Sequence, residues 1–197
     1  MIDARWVFLG IILNLAGSLV YVVETLRGKA KPNRVSWFMW ALAPLIAFSA
    51  EIQQGVGLQS LMTFMVGFSP LLVFFASFVN KQASWKIQRL DLICGGLSML
   101  GLVLWLFTRV GNIAILFAII ADGLAAVPTI VKSYRVPESE NYWVFLTGMI
   151  SAGITMLTID QWNFEHYAFP AYIFLVCLTL FVLIKFKFGR LSKTAQS

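Results

Sequence analysis

Long apolar stretches separated by short polar connections make up most of the chain. Most of these stretches are near the ~20 residues that an α-helix needs to cross a bilayer. The pattern therefore predicts an all-α integral membrane protein with seven transmembrane helices. The predicted helices cover residues 6–26, 36–50, 57–79, 92–108, 113–131, 142–159 and 167–184.

Composition supports this interpretation. Of 197 residues, 59% are hydrophobic and 12% are charged, and the mean hydropathy is +0.82. These values lie outside the usual range of soluble domains. The seven stretches leave no room for a soluble domain, so the expected surroundings of most of the chain are lipid.

The basic residues lie mostly on one side of the predicted helices. All of the 15 lysines and arginines except Arg5 and Arg109 fall in connections of the same side or in the carboxyl-terminal tail. Lysine and arginine in short loops favour the cytosol. The amino terminus is therefore predicted outside and the carboxyl terminus in the cytosol, in a multi-pass protein of the plasma (inner) membrane. This distribution explains the net charge of +6 without a nucleic-acid partner.

An internal repeat relates helix 1 to helix 5 at an offset of 108 residues. Asn14 aligns with Asp122, and the matching positions follow the i, i+3, i+4, i+7 spacing of one helix face. A polar face of this kind is expected to avoid lipid. The other aligned pairs are Gly17 with Ala125, Ser18 with Ala126, Tyr21 with Thr129, Thr25 with Ser133 and Arg27 with Arg135.

The repeat predicts a three-one-three plan. Residues 1–80 form the first three-helix unit and residues 111–186 the second. Residues 81–110 supply a cytosolic loop and helix 4, which returns the chain to its starting side so that the two units run parallel. Residues 187–197 form a cytosolic tail. The weaker match of Ser69-Pro70 with Phe169-Pro170 has an offset of 100.

Residues 126–140, with the sequence AVPTIVKSYRVPESE, resemble the PQ-loop signature, in which a Pro-Gln pair near a helix end precedes a basic loop. Pro128 matches the proline, whereas Thr129 replaces the glutamine. The first copy has Val20 and Tyr21 at this place, so both motifs are degenerate. With seven helices, an outside amino terminus and parallel repeats, the chain is similar to the SWEET and PQ-loop superfamily of solute transporters.

This resemblance implies alternating access, with a sugar or another small polar solute held near the midplane between the two units. Transport is then either facilitative or coupled to protons. Two alternatives stay open, namely a vitamin transporter of the nicotinamide-riboside type and a non-transporting receptor or structural protein of the same fold. The family's hinge prolines are matched here only by Pro44 in helix 2 and Pro128 in helix 5.

Asp122 is the one ionisable residue deep in a predicted helix. A charge at that depth costs about 2.5–3.5 kcal/mol on insertion scales, so the side chain should face protein or water. It is expected to hydrogen-bond a solute hydroxyl or amine, to take up a transported proton, or to join helices 1 and 5 through Asn14. Further substrate-binding candidates are Asn14, Ser18, Trp40, Thr147 and Ser151.

Helix 6 carries Thr147 and Ser151 on a hydroxyl stripe that would either complete a polar cavity or bond its own backbone. Trp37 is expected to anchor the interface, whereas Trp40 lies deeper and would wall a cavity. Tyr21 is the gating candidate at the cytosolic end of helix 1. Pro44, Pro128 and Thr129 are the remaining gating or hinge candidates.

No motif for catalysis, a metal or a cofactor is present. The chain has one histidine and two separated cysteines, and it contains neither H-E-x-x-H nor G-x-S-x-G. A retinal protein would need a lysine within residues 167–184, and there is none. A non-enzymatic protein without metal or cofactor is expected, with the lipid bilayer, a small polar solute and, if coupled, protons as partners. The oligomeric state stays open.

Overall fold

A computed structural model describes residues 2–80, 83, 85–108 and 111–189. Over these residues the chain folds into seven α-helices and contains no strand. Lys81, Arg109, Arg190 and Lys193, which contribute to the predicted distribution of charge, lie outside the described residues. So do residues 190–197 of the predicted tail.

The helices follow the apolar stretches closely. A short 3-10 turn over Ala4–Trp6 precedes the first of them. The helices are α1 (Val7–Leu26), α2 (Arg34–Gln53), α3 (Ser60–Val79), α4 (Arg89–Thr108), α5 (Gly111–Arg135), α6 (Tyr142–Leu157) and α7 (Phe164–Phe186).

Helix boundaries extend beyond several apolar stretches because capping residues fix them. The side chain of Asn33 accepts a hydrogen bond from the Val35 N–H, so α2 begins at Arg34. Asn141 accepts from the Trp143 N–H and starts α6 in the same way. Helix α5 continues to Arg135, four residues past the predicted end, because Lys132 and Ser133 are buried against protein.

Within the described residues, five helices are long and apolar enough to cross a membrane, namely α1, α2, α3, α5 and α7. Helix α6 is also apolar but has only 16 residues. Large hydrophobic side chains such as Ile12, Phe75, Leu92 and Leu175 are mostly exposed, as expected of surfaces that contact lipid. These features indicate a helical membrane protein.

The helix contacts form two matching sets. Helix α3 packs against both α1 and α2, and α7 packs against both α5 and α6. Between the sets, α1 packs on α6 and α2 packs on α5. Helix α4 lies outside them, against α5 and to a smaller extent α2. The core therefore lies where α1, α2, α5 and α6 meet.

Candidate functional site

A cavity of about 70 Å³ lies between the two sets of helices. This space is enough for a few water molecules or a small solute. Among the described side chains, the lining comes from every α-helix except α4. The lining residues are Asn14, Ser18, Trp37, Trp40, Val66, Ser69, Pro70, Asp122, Val144, Phe145, Gly148, Ile173, Val176, Cys177 and Leu180.

Asp122 is the acidic residue of this lining. It is 2% exposed, and its Oδ2 accepts a 2.7 Å hydrogen bond from the hydroxyl of Tyr172 on α7. Its Oδ1 has no hydrogen-bond partner in the part of the chain that the structure describes. A buried polar atom without a partner is costly. The free oxygen therefore marks a place where a ligand donor would be favourable.

Asn14 occupies the corresponding position on α1 and lines the same cavity. Its Oδ1 accepts a 2.7 Å hydrogen bond from Ser69 Oγ on α3. Asn14 and Asp122 are thus each held by a hydroxyl from the third helix of their own set. The sequence suggested a direct bond between Asn14 and Asp122, but in the structure each side chain bonds one of these hydroxyls instead.

Pro70 follows Ser69 within α3 and also lines the cavity. Proline has no N–H, so the carbonyl of Val66, one turn earlier, lacks its usual intrahelical donor. Val66 lines the cavity as well. The proline therefore removes one backbone hydrogen bond of α3 beside the cavity.

Three aromatic side chains form one wall. The rings of Trp37 and Trp40 meet edge to face with centroids 5.4 Å apart, and Trp40 meets Phe145 at 6.3 Å. The Nε1 of Trp40 donates to the backbone carbonyl of Asp122 at 3.3 Å, which fixes the indole beside the acid. Trp37 was expected at the interface, yet it is 2% exposed and lines the cavity.

Thr147 and Ser151 lie outside the lining, at the contact between α6 and α1. A Cβ built on Gly17 would overlap Thr147, and one built on Gly10 would lie 2.9 Å from Ser151 Oγ. The hydroxyl of Thr147 donates to its own helix backbone, at Trp143 and Val144. In this conformation the stripe packs against glycines of α1, and its role in substrate binding stays a prediction.

A buried polar group, which we call the latch, joins α1 to the end of α5. It consists of Tyr21, Lys132 and Glu140. The Tyr21 hydroxyl donates to Glu140 Oε2 at 2.5 Å, and Lys132 Nζ lies 2.7 Å from Glu140 Oε1. The side chains of Lys132 and Glu140 are 2% and 0% exposed. Lys132 Nζ also donates to the carbonyl of Lys31.

The latch lies directly beyond the cavity. The ring of Tyr21 packs on Trp37 with centroids 4.7 Å apart, so one tryptophan contacts the latch and lines the cavity. Asp122 and Lys132 are ten residues apart on α5, or about 15 Å along the helix. The latch therefore lies between the cavity and the end of α5 that carries Lys132 and Arg135.

The remaining gating candidates lie inside the helices. Pro44 is buried within α2, and Pro128 and Thr129 are buried within α5. None of the three lines the cavity. The hydroxyl of Thr129 has no partner among the described residues. Their roles as hinges or gates stay predictions.

Comparisons with known proteins identify no relative of this chain. No family model matches the chain, and neither a search of curated proteins nor a search of solved structures finds a match. The function is therefore inferred from this chain's own residues.

Several site residues could not be identified from the sequence alone. Tyr172 and Ser69 were missed because their roles depend on how α7 and α3 rotate against their neighbours. The sequence places Glu140 in a polar loop and indicates no further role for it. The repeat gives no signal for these three residues, although it does relate the helix caps Asn33 and Asn141, which lie 108 residues apart.

Glu51 is a further buried acid that the sequence placed beyond the end of helix 2. It lies within α2 and is 1% exposed. Its Oε1 accepts a 3.1 Å hydrogen bond from Thr63, and its Oε2 has no partner among the described residues. It does not line the cavity.

Proposed function

We propose that this chain is a small-solute membrane transporter that works by alternating access, with its binding site in the cavity at Asp122. The observation that carries the proposal is the cavity itself. It combines an acid with a free oxygen, neutral polar groups and an aromatic wall, and it lies between two sets of helices. A packing defect would not need this chemistry, because empty cavities in cores are apolar.

Two parallel three-helix units joined by α4 are part of the proposal. The contacts of α3 with α1 and α2 match those of α7 with α5 and α6, and the α1–α6 contact corresponds to the α5–α2 contact. The aligned pairs Asn14 with Asp122 and Asn33 with Asn141 support the same relation. In transporters with parallel repeats the solute site lies between the repeats.

The latch supplies one of the two closures that alternating access needs. In the proposed orientation, with the amino terminus outside, its end of the molecule faces the cytosol. Tyr21 and Glu140 join the first unit to the second, so separation of the units at this end must break their bond. Under this proposal, the closed latch would belong to the state that is closed toward the cytosol.

Uptake by proteoliposomes tests the proposal. The full chain would be offered sugars, amino acids and nucleosides, each with and without an imposed pH gradient. We expect time-dependent uptake of at least one solute and a strong reduction in the Asp122→Asn variant. Dependence on the pH gradient distinguishes proton coupling from facilitated diffusion.

Asp91→Asn is the matched control. Asp91 is also buried, but it lies at the start of α4 and accepts from the backbone N–H of Gln88, outside the cavity lining. Asparagine retains that acceptor, so uptake should be unchanged. Absence of flux for the whole panel would contradict a transporter, and binding without flux would favour a receptor instead.

A further inference from the structure

The charges around the cavity are not balanced. Among the described residues, no lysine, arginine or histidine lines it, whereas Asp122 does. The nearest lysine along α5, Lys132, is held by Glu140 and the carbonyl of Lys31. That lysine is already paired with an acid and lies about 15 Å away along the helix. The described part of the chain therefore provides no cation for Asp122.

The carboxyl group is also held in a fixed orientation. Tyr172 binds Oδ2, and the Trp40 indole binds the backbone carbonyl of the same residue. These two contacts leave Oδ1 as the one acceptor of the side chain without a partner in the described chain. A buried carboxylate gains most from a donor that carries a positive charge, because charge-assisted hydrogen bonds are the stronger ones.

The other side of the cavity suits a cation as well. Trp37, Trp40 and Phe145 present aromatic surface, and aromatic rings attract ammonium groups, best of all tryptophan. Two further groups have no partner among the described residues, the Ser18 hydroxyl and the Trp37 Nε1. The first can donate or accept and the second donates. Together they suit a hydroxyl or carbonyl oxygen on the solute.

We propose that the cavity selects small amine-bearing solutes, whose ammonium group pairs with Asp122 Oδ1 and whose oxygen atom meets Ser18 or Trp37. This inference rests on the proposed function, because it names the solute class of the same site. A neutral sugar would leave the buried carboxylate without a counter-charge. An ammonium supplies the charge and the donor together.

Matched pairs of solutes test this preference. Purified full-length protein in lipid nanodiscs would be titrated with 2-aminoethanol against ethylene glycol, and with glucosamine against glucose. Each pair differs by one amine in place of a hydroxyl. The amine member should bind roughly 10-fold tighter or better, which corresponds to one charge-assisted contact plus a cation–π contact. The pairs are compared in the wild type, so this result needs no variant.

Variants then locate the preference. Asp122→Asn keeps the shape and removes the charge, so the two members of a pair should bind within about 2-fold of each other. Asp91→Asn, outside the cavity, should retain the preference. Size-exclusion profiles and melting temperatures identify any variant that fails to fold.

The results separate this inference from the transport proposal. Equal binding of amine and neutral members, binding of neither, or a preference that survives Asp122→Asn would overturn the inference. Flux of neutral solutes with no preference for amines would support the transport proposal and contradict the inference about amines. Binding of amines without flux would support the inference and contradict transport.

Discussion

Helices α1 and α5 occupy equivalent places in the two sets, yet they differ in charge. At the cavity, α1 contributes the neutral amide of Asn14 and α5 the acid of Asp122, each bonded to a hydroxyl of its own set. The amide of Asn14 is neutral and bonds a neutral hydroxyl, so it does not require a counter-charge. The acid keeps one oxygen without a partner. The common architecture thus places two side chains alike, while only one of them is an acid that has an oxygen without a partner among the described residues.

The same comparison can be made at the latch end. Glu24 on α1 aligns with Lys132 on α5 at the offset of 108. Glu24 accepts a 2.5 Å hydrogen bond from the side chain of Asn141, the cap of α6. Asn33, the equivalent cap of α2, has an amide nitrogen without a partner among the described residues. Lysine has no acceptor to offer that amide, and Lys132 pairs with Glu140 instead.

Removing the charge of the latch should have the largest effect. Glu140→Gln would leave Lys132 buried without its counter-ion, and loss of one partner of a buried pair costs about 3–5 kcal/mol. Glu24→Gln removes a charge at the equivalent place on α1, where the partner is a neutral amide, and should cost about 1 kcal/mol. Melting temperatures in detergent would measure the difference.

The double variant Lys132→Met with Glu140→Gln distinguishes the ion pair from a general loss of packing. It removes both charges, so it should recover part of the stability lost in Glu140→Gln. A double variant less stable than Glu140→Gln would contradict the role assigned to the buried pair.

The second prediction concerns the contact between α1 and α6. Gly17 aligns with Ala125 of α5, but a Cβ on Gly17 would overlap Thr147. Gly17→Ala should therefore destabilise the protein by about 1–3 kcal/mol, and Thr147→Ala in the same chain should restore most of it. Gly96→Ala is the control, since nothing lies within 4 Å of a Cβ there. Thermal unfolding of the three variants, Gly17→Ala, its double variant with Thr147→Ala, and Gly96→Ala, would measure these differences.

The third prediction exchanges the two cavity residues. Asp122→Asn should reduce uptake of an amine solute by at least about 10-fold, equivalent to about 1.4 kcal/mol. Adding Asn14→Asp returns one acid to the cavity on the opposite side. If the charge matters more than its exact place, the exchange variant should regain part of the uptake. Uptake no better than that of Asp122→Asn would show that Tyr172 and Trp40 must hold the acid in its native position.

The smallest expected effect compares the two helix caps. Serine caps helices about as well as asparagine, so Asn33→Ser should keep its cap and lose only an unpaired amide, with little change in stability. Asn141→Ser should also keep its cap but lose the bond to Glu24, at a cost of about 1 kcal/mol. Equal melting temperatures for the two variants would contradict the assigned asymmetry.

The helices could be predicted from sequence because each needs a long apolar surface to contact lipid. That surface requires a continuous stretch of apolar residues, which is visible in the sequence. Helix ends were less accurate where capping or burial decides them. Asn33 starts α2 before its apolar stretch, and Lys132 continues α5 beyond the stretch because its charge is paired inside the protein.

The site could be predicted only in part. The repeat identified Asn14, Ser18 and Asp122, which do line one cavity with Trp40, because positions on one helix face follow from spacing alone. Partners on other helices could not be derived in this way. Tyr172 reaches Asp122, and Trp37 turns inward, through helix rotations that no local pattern determines. Thr147 and Ser151 meet α1 for the same reason.

The position of Asp122 also has an electrical consequence. A charge that moves across the full membrane potential gains or loses about 2.3 kcal/mol per 100 mV. In the proposed cycle, a cation bound at Asp122 cancels the carboxylate charge, so the loaded site moves through the field without net charge. The empty site keeps its negative charge on the way back. Voltage should therefore act on the return of the empty carrier, and accumulation of the solute would follow the potential through that step.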